Sequence, residues 1–391
     1  MSEGKGLRAF GIRLSALGAA VLSLLGTEPA RAGDDTLRIA TWNIANLHHM
    51  AGESVPGRDV VRSKEDYVWL RHYAYKLGAD IVALQEINSR AAAHRIFGRG
   101  GWTVHISGRK ALDMADYDLT GKWSEGSIYT GFAVRKNVNV VGVRDVRSLE
   151  VDHLDPRTGL TRKTRWAMEL EVEKGGQRLV LLAVHLKSGC FTGTLKSDTE
   201  GYDRFVNERD ADCTTAARQV GPLRAWIETK LDDQVPFVIL GDFNRAFDIK
   251  GEDDHLWQGL TDGLPRGATL TRFPNGQDAT CWKNAPPAPY HRFPIDHLLF
   301  SPGAARLAKP DTFGWLTFDA SLATKYGRIS DHCPAHIDLD WSGAPAAGGA
   351  MPDSAQEAAA PLAGAAARLV RVDVGEALAV GLAPLNLTGP R

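Results

Sequence analysis

The apolar positions between residues 36 and 341 fall into short runs separated by stretches with helical spacing. Residues 37–44, 80–85, 178–184, 237–240, 295–300 and 335–341 form such runs, and each predicts a strand. Apolar residues recur every three or four positions over residues 64–77, which predicts a helix between the first two strands, and residues 211–231 predict a second helix. The alternation of strands and helices indicates an α/β fold.

The pattern within the strands indicates how they are buried. Residues 178–184 and 237–240 are continuously apolar, so we expect both faces of these strands to be buried. Residues 166–173 instead alternate apolar with charged side chains, which predicts a strand with one face in solvent. Two sheets packed face to face, with helices outside them, would bury the doubly apolar strands.

The two ends of the chain differ in composition from this region. A basic start precedes an apolar run at residues 14–26, which is too short to span a bilayer comfortably, and residues 30–32 fit the small-residue rule for cleavage. We predict a signal peptide over residues 1–32, cleaved after Ala32, and a periplasmic or secreted protein; the alternative is a membrane-proximal helix. The Ala-, Gly- and Pro-rich residues 342–391 predict a flexible tail, which leaves a catalytic domain at residues 33–341.

The overall charge limits how this protein could bind a polyanion. The 391 residues include 46 Lys and Arg and 47 Asp and Glu, for a net charge of −1, so contact with a polyanion requires a local basic patch. Arg157, Arg162, Lys163 and Arg165 form such a cluster. It could contact a phosphate backbone, or it could be a solvated loop. Arg165 is the best single candidate for substrate binding, because it is closest to the following strand.

The four cysteines are an even number in a protein predicted to be exported, which indicates disulfides. Of the three pairings, we prefer Cys190 with Cys213, which closes the glycine- and charge-rich stretch between them, and Cys281 with Cys333, which ties two late segments together. Zinc binding is the alternative, but the sequence contains no C-x-x-C spacing to support it.

Several predicted strands end in a polar residue of a kind that binds metal or phosphate. These residues are Asn43, Glu86, His185, Asp242, Asn244, Asp296, Asp331 and His332. Strand ends in α/β folds are where ligands gather, so a shared edge would bring these side chains together. Their carboxylate and amide oxygens suit Mg²⁺ or Mn²⁺ rather than a soft metal, and the histidines can move protons near neutral pH.

Six short segments resemble the endonuclease/exonuclease/phosphatase superfamily, which includes DNase I-like nucleases. They are residues 41–43 (Thr-Trp-Asn), 85–86 (Gln-Glu), 185–188 (His-Leu-Lys-Ser), 241–245 (Gly-Asp-Phe-Asn-Arg), 295–297 (Ile-Asp-His) and 330–332 (Ser-Asp-His). Each segment is short, but all six occur in the order of that superfamily. The resemblance implies a four-layered α/β sandwich, with two packed mixed sheets flanked by helices, and metal-dependent cleavage of phosphoester bonds.

The resemblance also implies a metal site in this chain. Asn43 and Glu86 would help to seat the divalent ion, Mg²⁺ or Mn²⁺. Asp331 would support the metal or a water.

The remaining strand-end residues are implied to be catalytic. Asp242 and Asn244 would orient the attacking water and the phosphate, and His185 would bind the phosphate. His332 would act with Asp296 as a dyad, in which the acid holds the imidazole in one tautomer.

Together these features predict an exported phosphodiesterase, most consistent with a nuclease whose partner is DNA or RNA and which has no stable protein partner. One alternative is a phospholipid phosphodiesterase of the sphingomyelinase type, or a phosphoinositide phosphatase. It calls for exposed apolar loops, and the sequence contains no clear stretch of that kind. Another alternative is an inactive binding module, which should have broken motifs, whereas none of the six is broken.

Overall fold

The computed structural model describes residues 35–111, 128–195, 208–277, 293–319, 322 and 326–342. These residues lie in one compact unit within residues 1–346. The predicted signal peptide, nearly all of the predicted tail and Cys281 lie outside the described residues. Among the helices of the described ranges, none combines the length and the apolar character needed to cross a membrane.

The described residues form fourteen strands and six α-helices. The strands are β1 (Thr36–Leu47), β2 (Ile81–Ile87), β3 (Trp102–Ile106), β4 (Tyr129–Arg135), β5 (Val140–Val146), β6 (Asp152–Leu154), β7 (Thr161–Lys163), β8 (Ala167–Lys174), β9 (Gln177–His185), β10 (Phe237–Asp242), β11 (Thr271–Phe273), β12 (Asp296–Phe300), β13 (Ala308–Trp315) and β14 (Ala335–Asp340). The helices are α1 (Lys64–Leu77), α2 (Arg90–His94), α3 (Glu208–Asp232), α4 (His255–Thr261), α5 (Pro302–Ala305) and α6 (Tyr326–Ile329).

Twelve of the strands form two six-stranded sheets. The first has the order β13-β14-β1-β2-β4-β3 and the second the order β11-β12-β10-β9-β8-β5, while β6 and β7 pair separately as a hairpin. In each sheet the two strands nearest the middle of the pairing order, β1 with β2 and β9 with β10, run parallel. Their other neighbours are antiparallel, so both sheets are mixed.

Three hydrophobic clusters show that the sheets pack face to face with helices outside. Ile39 of β1 and Leu240 of β10 belong to the cluster between the sheets. Trp42, on the opposite face of β1, packs in a second cluster with residues of α1 and α2, and Ile239 packs in a third with residues of α3 and α4. Both faces of the central strands are therefore buried, and the predicted four-layered α/β sandwich is confirmed.

Helix α1 has the predicted bounds because its signals are local. Ser63 caps the first turn and exchanges hydrogen bonds with Asp66, and Gly78 ends the helix in the left-handed conformation, at φ 62°. The second predicted helix is present as α3, a few residues longer at its start than residues 211–231.

The prediction that one face of β8 is in solvent is wrong at Glu169, which is 2% exposed. Helix α3 covers this position. The Glu169 carboxylate accepts hydrogen bonds from Trp226 Nε1 at 2.7 Å and from Lys230 Nζ at 3.0 Å. Glu169 is therefore charged because it belongs to a buried ion pair, not because it faces solvent. The alternation of apolar and charged residues in the sequence is the same in both cases.

A disulfide joins Cys190, which follows β9, to Cys213 of α3, as preferred from the sequence. Gly189 has a φ of 96°, and a Cβ there would overlap the Asp212 carboxylate, so the residue before the disulfide must be small. Cys333 is also disulfide-bonded, but Cys281, its predicted partner, lies outside the described residues.

We expect Gly241→Ala to destabilise the fold, because a Cβ at Gly241 would lie 2.1 Å from the Val184 carbonyl oxygen of β9 and the residue has a φ of 150°. Gly52→Ala is the matched control, since Gly52 has a φ of 88° and nothing within 4 Å of its added Cβ. In urea unfolding, the control should lose about 1 kcal/mol through backbone strain and Gly241→Ala at least about 2 kcal/mol more. Equal losses would show that the close approach of β9 and β10 is unimportant.

Candidate active site

The polar residues predicted at strand ends meet where β1, β2, β9, β10 and β12 come together. In the register of the second sheet, Asp242 lies directly beside His185 on one side and Asp296 on the other. In the first sheet, Asn43 lies beside Gln85, and Glu86 follows. Because the two sheets pack face to face, residues from separate strand ends converge at one edge of the sandwich.

A buried hydrogen bond connects the two sheets at this edge. Asn43 Nδ2 donates to Asp242 Oδ2 at 2.9 Å, and both side chains are buried. The Asn43 amide oxygen accepts from the Ala45 backbone N–H at 3.0 Å, which fixes the orientation of the amide. Asp242 Oδ1 accepts from the Asn244 backbone N–H at 2.8 Å, so each carboxylate oxygen has a defined donor.

His332 and Asp296 form a hydrogen-bonded pair beside Asp242. His332 Nδ1 donates to Asp296 Oδ2 at 2.7 Å, which leaves Nε2 of the ring 3.9 Å from Asp242 Oδ2. The loop that carries His332 is attached to the first sheet, because Ser330 Oγ donates to the Asn43 carbonyl at 2.6 Å and accepts from the His332 backbone N–H. The pair has the geometry of an imidazole oriented by an acid.

Burial and neighbouring charges shift the protonation of these groups. Burial acts to lower the pKa of His332, but the hydrogen-bonded Asp296, with Asp242 and Asp331, outweighs it and raises the pKa well above its ordinary value. Burial raises the pKa of Asp242 to about 7, although the His332 charge opposes this. A positively charged imidazole therefore lies between two buried carboxylates.

His185 lies on the other side of Asp242. Its Nε2 is 3.5 Å from Asp242 Oδ2 and 3.8 Å from Glu86 Oε1. Burial, with the charge of Arg165, lowers the pKa of His185 well below its ordinary value, so the ring is neutral. Within the described structure, Nδ1 of His185 and Oδ1 of Asp296 are buried without a hydrogen-bond partner, which leaves this site with unused polar groups.

Four non-glycine residues around the site have left-handed backbone conformations: Ala45, Asn46, Glu86 and Asn244. Side-chain hydrogen bonds compensate for this strain, since Glu86 Oε2 accepts from the Asn46 backbone N–H at 2.9 Å and Asp242 holds Asn244. Strained backbone of this kind occurs at sites whose geometry the surrounding structure enforces.

Two groups of residues could hold a metal ion. Asp242, Asp296 and His332 offer ligand atoms within 4.8 Å of one another. A charged His332 whose Nδ1 is already bonded to Asp296 is a poor ligand, because imidazole must be deprotonated to bind a metal. The predicted set, Glu86 with Asn43 and Asp331, consists of hard oxygen donors, and Oε1 of Glu86 accepts none of the hydrogen bonds found in the described structure. This donor chemistry fits Mg²⁺ or Mn²⁺.

Arg62 is a residue of this region that the sequence did not reveal. Its guanidinium is buried and donates to the carbonyls of Ile44 and Ala45, each at 2.7 Å, and of Asn46 at 3.2 Å. It also donates to the carbonyls of Arg328 and Ile329, just before the His332 loop. Burial lowers the pKa of Arg62 to about 10, so it remains charged at neutral pH. Arg62 therefore holds two loops of the site in one position.

We expect Arg62→Met to reduce the free energy of unfolding by at least about 3 kcal/mol, because it leaves several buried carbonyls without a donor. The free energy of unfolding of Arg62→Lys should lie between those of wild type and Arg62→Met, because an ammonium group replaces only part of the planar donor set. The exposed Arg71 provides the control, and Arg71→Met should change the free energy of unfolding by less than about 0.5 kcal/mol in urea titrations. An Arg62→Met protein as stable as Arg71→Met would contradict this role.

The structure brings together all the strand-end residues predicted from the sequence. Direct contacts link Asn43, Glu86, His185, Asp242, Asp296 and His332. Asn244 contacts Asp242 through its backbone, and Asp331 is close enough to raise the pKa of His332. Arg165 is half-buried beside them, within electrostatic reach of Glu86 and Asp242. Two further basic residues, Arg58 and Lys187, lie close enough to affect the pKa of His185. Like Arg62, they were not among the predicted site residues.

Comparison with known proteins places this geometry in context. Residues 40–332 match the sequence profile of the Endonuclease/Exonuclease/phosphatase family. No curated protein sequence matches the chain.

Three of the solved structures that resemble this chain are the following. The human Nocturnin catalytic domain with bound sulfate is 15% identical, with 78% of this chain and 94% of that chain covered and a TM-score of 0.45. The D. rerio TDP2 complex with single-strand DNA product is 17% identical, with 78% and 99% covered and a TM-score of 0.43. The 3′ phosphatase NExo from Neisseria, bound to a product DNA hairpin, is 19% identical, with 78% and 100% covered and a TM-score of 0.43.

Proposed function

Because this chain belongs to the Endonuclease/Exonuclease/phosphatase family, we propose that it is an exported, divalent-metal-dependent nuclease that hydrolyses phosphodiester bonds of DNA or RNA. Enzymes of this family hydrolyse phosphoric esters with the help of a divalent metal. The observation that carries the proposal is the convergence on Asp242 Oδ2, where Asn43 Nδ2 and the Nε2 atoms of His185 and His332 all lie within 4 Å.

The two histidine rings provide the phosphate-binding groups. A phosphate oxygen beside Asp242 can accept a hydrogen bond from the charged His332, whose Nδ1 is already occupied by Asp296. His185, held neutral by burial, can donate one N–H to another oxygen of the same group. These donors are fixed before the substrate binds, so charge that develops on the phosphate is stabilised without reorganisation.

Asp242 is suited to act on the attacking water. Its Oδ2 accepts a hydrogen bond from Asn43, and a carboxylate oxygen has a second lone pair that can accept from a water. Asn43 and the Asn244 backbone hold the carboxylate in position from either side. Asp242 can therefore orient the water and accept its proton, while Asp296 keeps His332 in a single tautomer.

Glu86, with Asn43 and Asp331, would hold the divalent ion. When bound, the ion supplies Lewis-acid stabilisation of the phosphate charge. The Glu86 carboxylate is held for this by the Asn46 backbone N–H, which occupies Oε2 and leaves Oε1 directed toward His185.

Nucleic acid is favoured over phospholipid as the substrate by the surroundings of the site. Arg165 adjoins the catalytic groups, and its charge affects the pKa of His185. Positive charge beside the site favours binding of a polyanion, whereas docking on a membrane requires an amphipathic apolar surface.

We expect wild-type protein to cleave plasmid DNA or RNA with Mg²⁺ and to lose that activity in EDTA. Asp296→Asn should lower kcat by about 10³- to 10⁴-fold, as expected when an acid that orients a histidine is replaced. His332→Ala should lose a similar amount. Initial rates with saturating substrate would measure both effects.

His255→Ala is the control for these variants, because His255 is exposed at the start of α4. It should keep wild-type activity, and circular dichroism should show all three variants folded. Full activity of Asp296→Asn, or equal wild-type activity in Mg²⁺ and in EDTA, would contradict the proposed chemistry.

Export is part of the proposal and is supported by the N-terminal pattern of residues 1–32 and by the buried Cys190–Cys213 disulfide. We expect the mature protein recovered from the periplasm or medium of an expressing bacterium to begin at Gly33. Intact-mass measurement would test this. Ala30→Tyr should block the cleavage, and an unprocessed cytoplasmic wild-type protein would contradict export.

A further inference from the structure

A cationic pocket adjoins the proposed active site. It has a volume of about 370 Å³ and lies between the loop before α1, the β6–β7 hairpin and the segment after β9. Its six Arg and Lys residues are Arg58, Arg157, Arg162, Lys163, Arg165 and Lys187. Among the described residues that line it there is no carboxylate and no aliphatic hydrocarbon side chain, and His153 contributes an imidazole ring. The pocket therefore offers charge to a ligand but no apolar surface.

Electrostatic contacts connect this pocket to the catalytic groups. The charges of Arg165, Arg58 and Lys187 all act to lower the pKa of His185, after burial itself. Arg165 is in turn affected by Glu86 and Asp242. Lys187 lies two residues beyond His185, so the pocket begins where the catalytic strand β9 ends.

Four of the six cations have carboxylate partners outside the lining of the pocket. Lys187 pairs with Asp212, and Lys163 Nζ lies 3.0 Å from Glu150 Oε1. Arg157 and Arg162 lie 3.9 Å and 3.7 Å from Asp155 Oδ2. These pairs keep the cations near the pocket but neutralise part of their charge.

Arg58 and Arg165 differ from the other four. Neither guanidinium has an ion pair or a hydrogen bond within the described structure, and Nε of Arg165 is buried without a partner. Burial and the like charge of Arg58 both lower the pKa of Arg165. Glu86 and Asp242 oppose this shift, but neither forms an ion pair with Arg165. Two neighbouring guanidinium groups without direct ion pairs in a half-buried pocket repel each other, and an anion that contacts both relieves the repulsion.

The hairpin that forms one wall is held in place before any ligand binds. Thr164 Oγ1 donates to the Leu149 carbonyl at 2.9 Å and accepts from the Val151 backbone N–H at 2.8 Å. His153 Nδ1 lies 3.0 Å from Thr215 Oγ1 of α3, which attaches the hairpin to that helix. A wall fixed in this way reduces the entropy lost when an anion binds.

We propose that this pocket binds a second, non-scissile phosphate of the nucleic acid and so selects substrates that carry a phosphate next to the bond being cleaved. The inference rests on the proposed nuclease function. Arg58 and Arg165 hold that phosphate, because guanidinium groups bind phosphate oxygens in pairs of parallel hydrogen bonds. Phosphate contacts carry no sequence information, so a preference that arises from this pocket is independent of base sequence.

The test compares thymidine dinucleotides that have one internal phosphodiester and either no further phosphate, a 5′-phosphate or a 3′-phosphate. We expect wild-type protein to hydrolyse one of the phosphorylated forms with a kcat/KM at least tenfold higher than the unphosphorylated form, mainly through KM. Arg58→Ala should reduce that preference to less than threefold, and Arg58→Lys should retain part of it. Arg99→Ala, which removes an exposed arginine outside the pocket, should keep the full preference.

A second measurement tests the same contact on a longer substrate. On a single-stranded oligonucleotide, the slope of log KM against log salt concentration should be smaller by about one in Arg58→Ala than in wild type, as for loss of one phosphate contact. Arg165→Gln, which changes the other proposed phosphate ligand, serves as a second variant if Arg58→Ala does not fold, which thermal melting would reveal. An unchanged slope in a folded variant would count against the contact.

The outcomes separate failure of this inference from failure of the proposed function. Equal kcat/KM for all three dinucleotides would overturn the second phosphate site and leave the nuclease function standing. Hydrolysis of bis(p-nitrophenyl) phosphate without hydrolysis of any nucleic acid would overturn the nuclease function. Hydrolysis of phosphoinositide vesicles alone, reduced in Arg58→Ala, would assign the pocket to a lipid headgroup and overturn the inference as stated.

Discussion

A single carboxylate oxygen, Oδ2 of Asp242, sets the requirements for the rest of the site. It lies in a buried position at the edge where two sheets meet, and removing a carboxylate from water is unfavourable unless donors replace the lost hydration. Asn43 provides a hydrogen bond from the opposite sheet, and His185 and His332 provide imidazole groups on either side. The packing of the two sheets and the arrangement of the proposed catalytic groups therefore depend on each other.

This requirement accounts for the irregular backbone around the site. Within β1, just after Asn43, Ala45 and Asn46 have positive φ, and the Arg62 guanidinium binds the carbonyls of both residues. On the other sheet, Gly241 allows β10 to approach β9 closely just before Asp242. Strain in the backbone and compensation by buried polar groups thus occur together, within a few residues of the reacting centre.

Features that depend on residues close together in the sequence could be predicted, whereas features that depend on distant residues could not. Helix α1 was predictable because its apolar residues recur with helical spacing within one short segment. The strand-end polar residues were predictable because strand direction brings them to one edge. Glu169 was not, because α3 covers it from far along the chain. Arg62 and Arg58 are single arginines in loops. No periodic pattern in the sequence indicates that Arg62 binds carbonyls of distant residues or that Arg58 lines a cationic pocket.

An acidic group of residues and a basic group of residues lie next to each other at the candidate site. Glu86, Asp242, Asp296 and Asp331 gather at the sheet edge, where His332 is the cation that the described structure places among them. The arginine-rich pocket begins at the end of the same strand. In the proposed complex, a divalent ion would balance the acidic group and the phosphates of a nucleic acid would balance the basic one. Each would relieve a repulsion that the protein alone retains. Binding of metal and of substrate should therefore reinforce each other, because the acidic and the basic groups that would hold them adjoin each other at the end of β9.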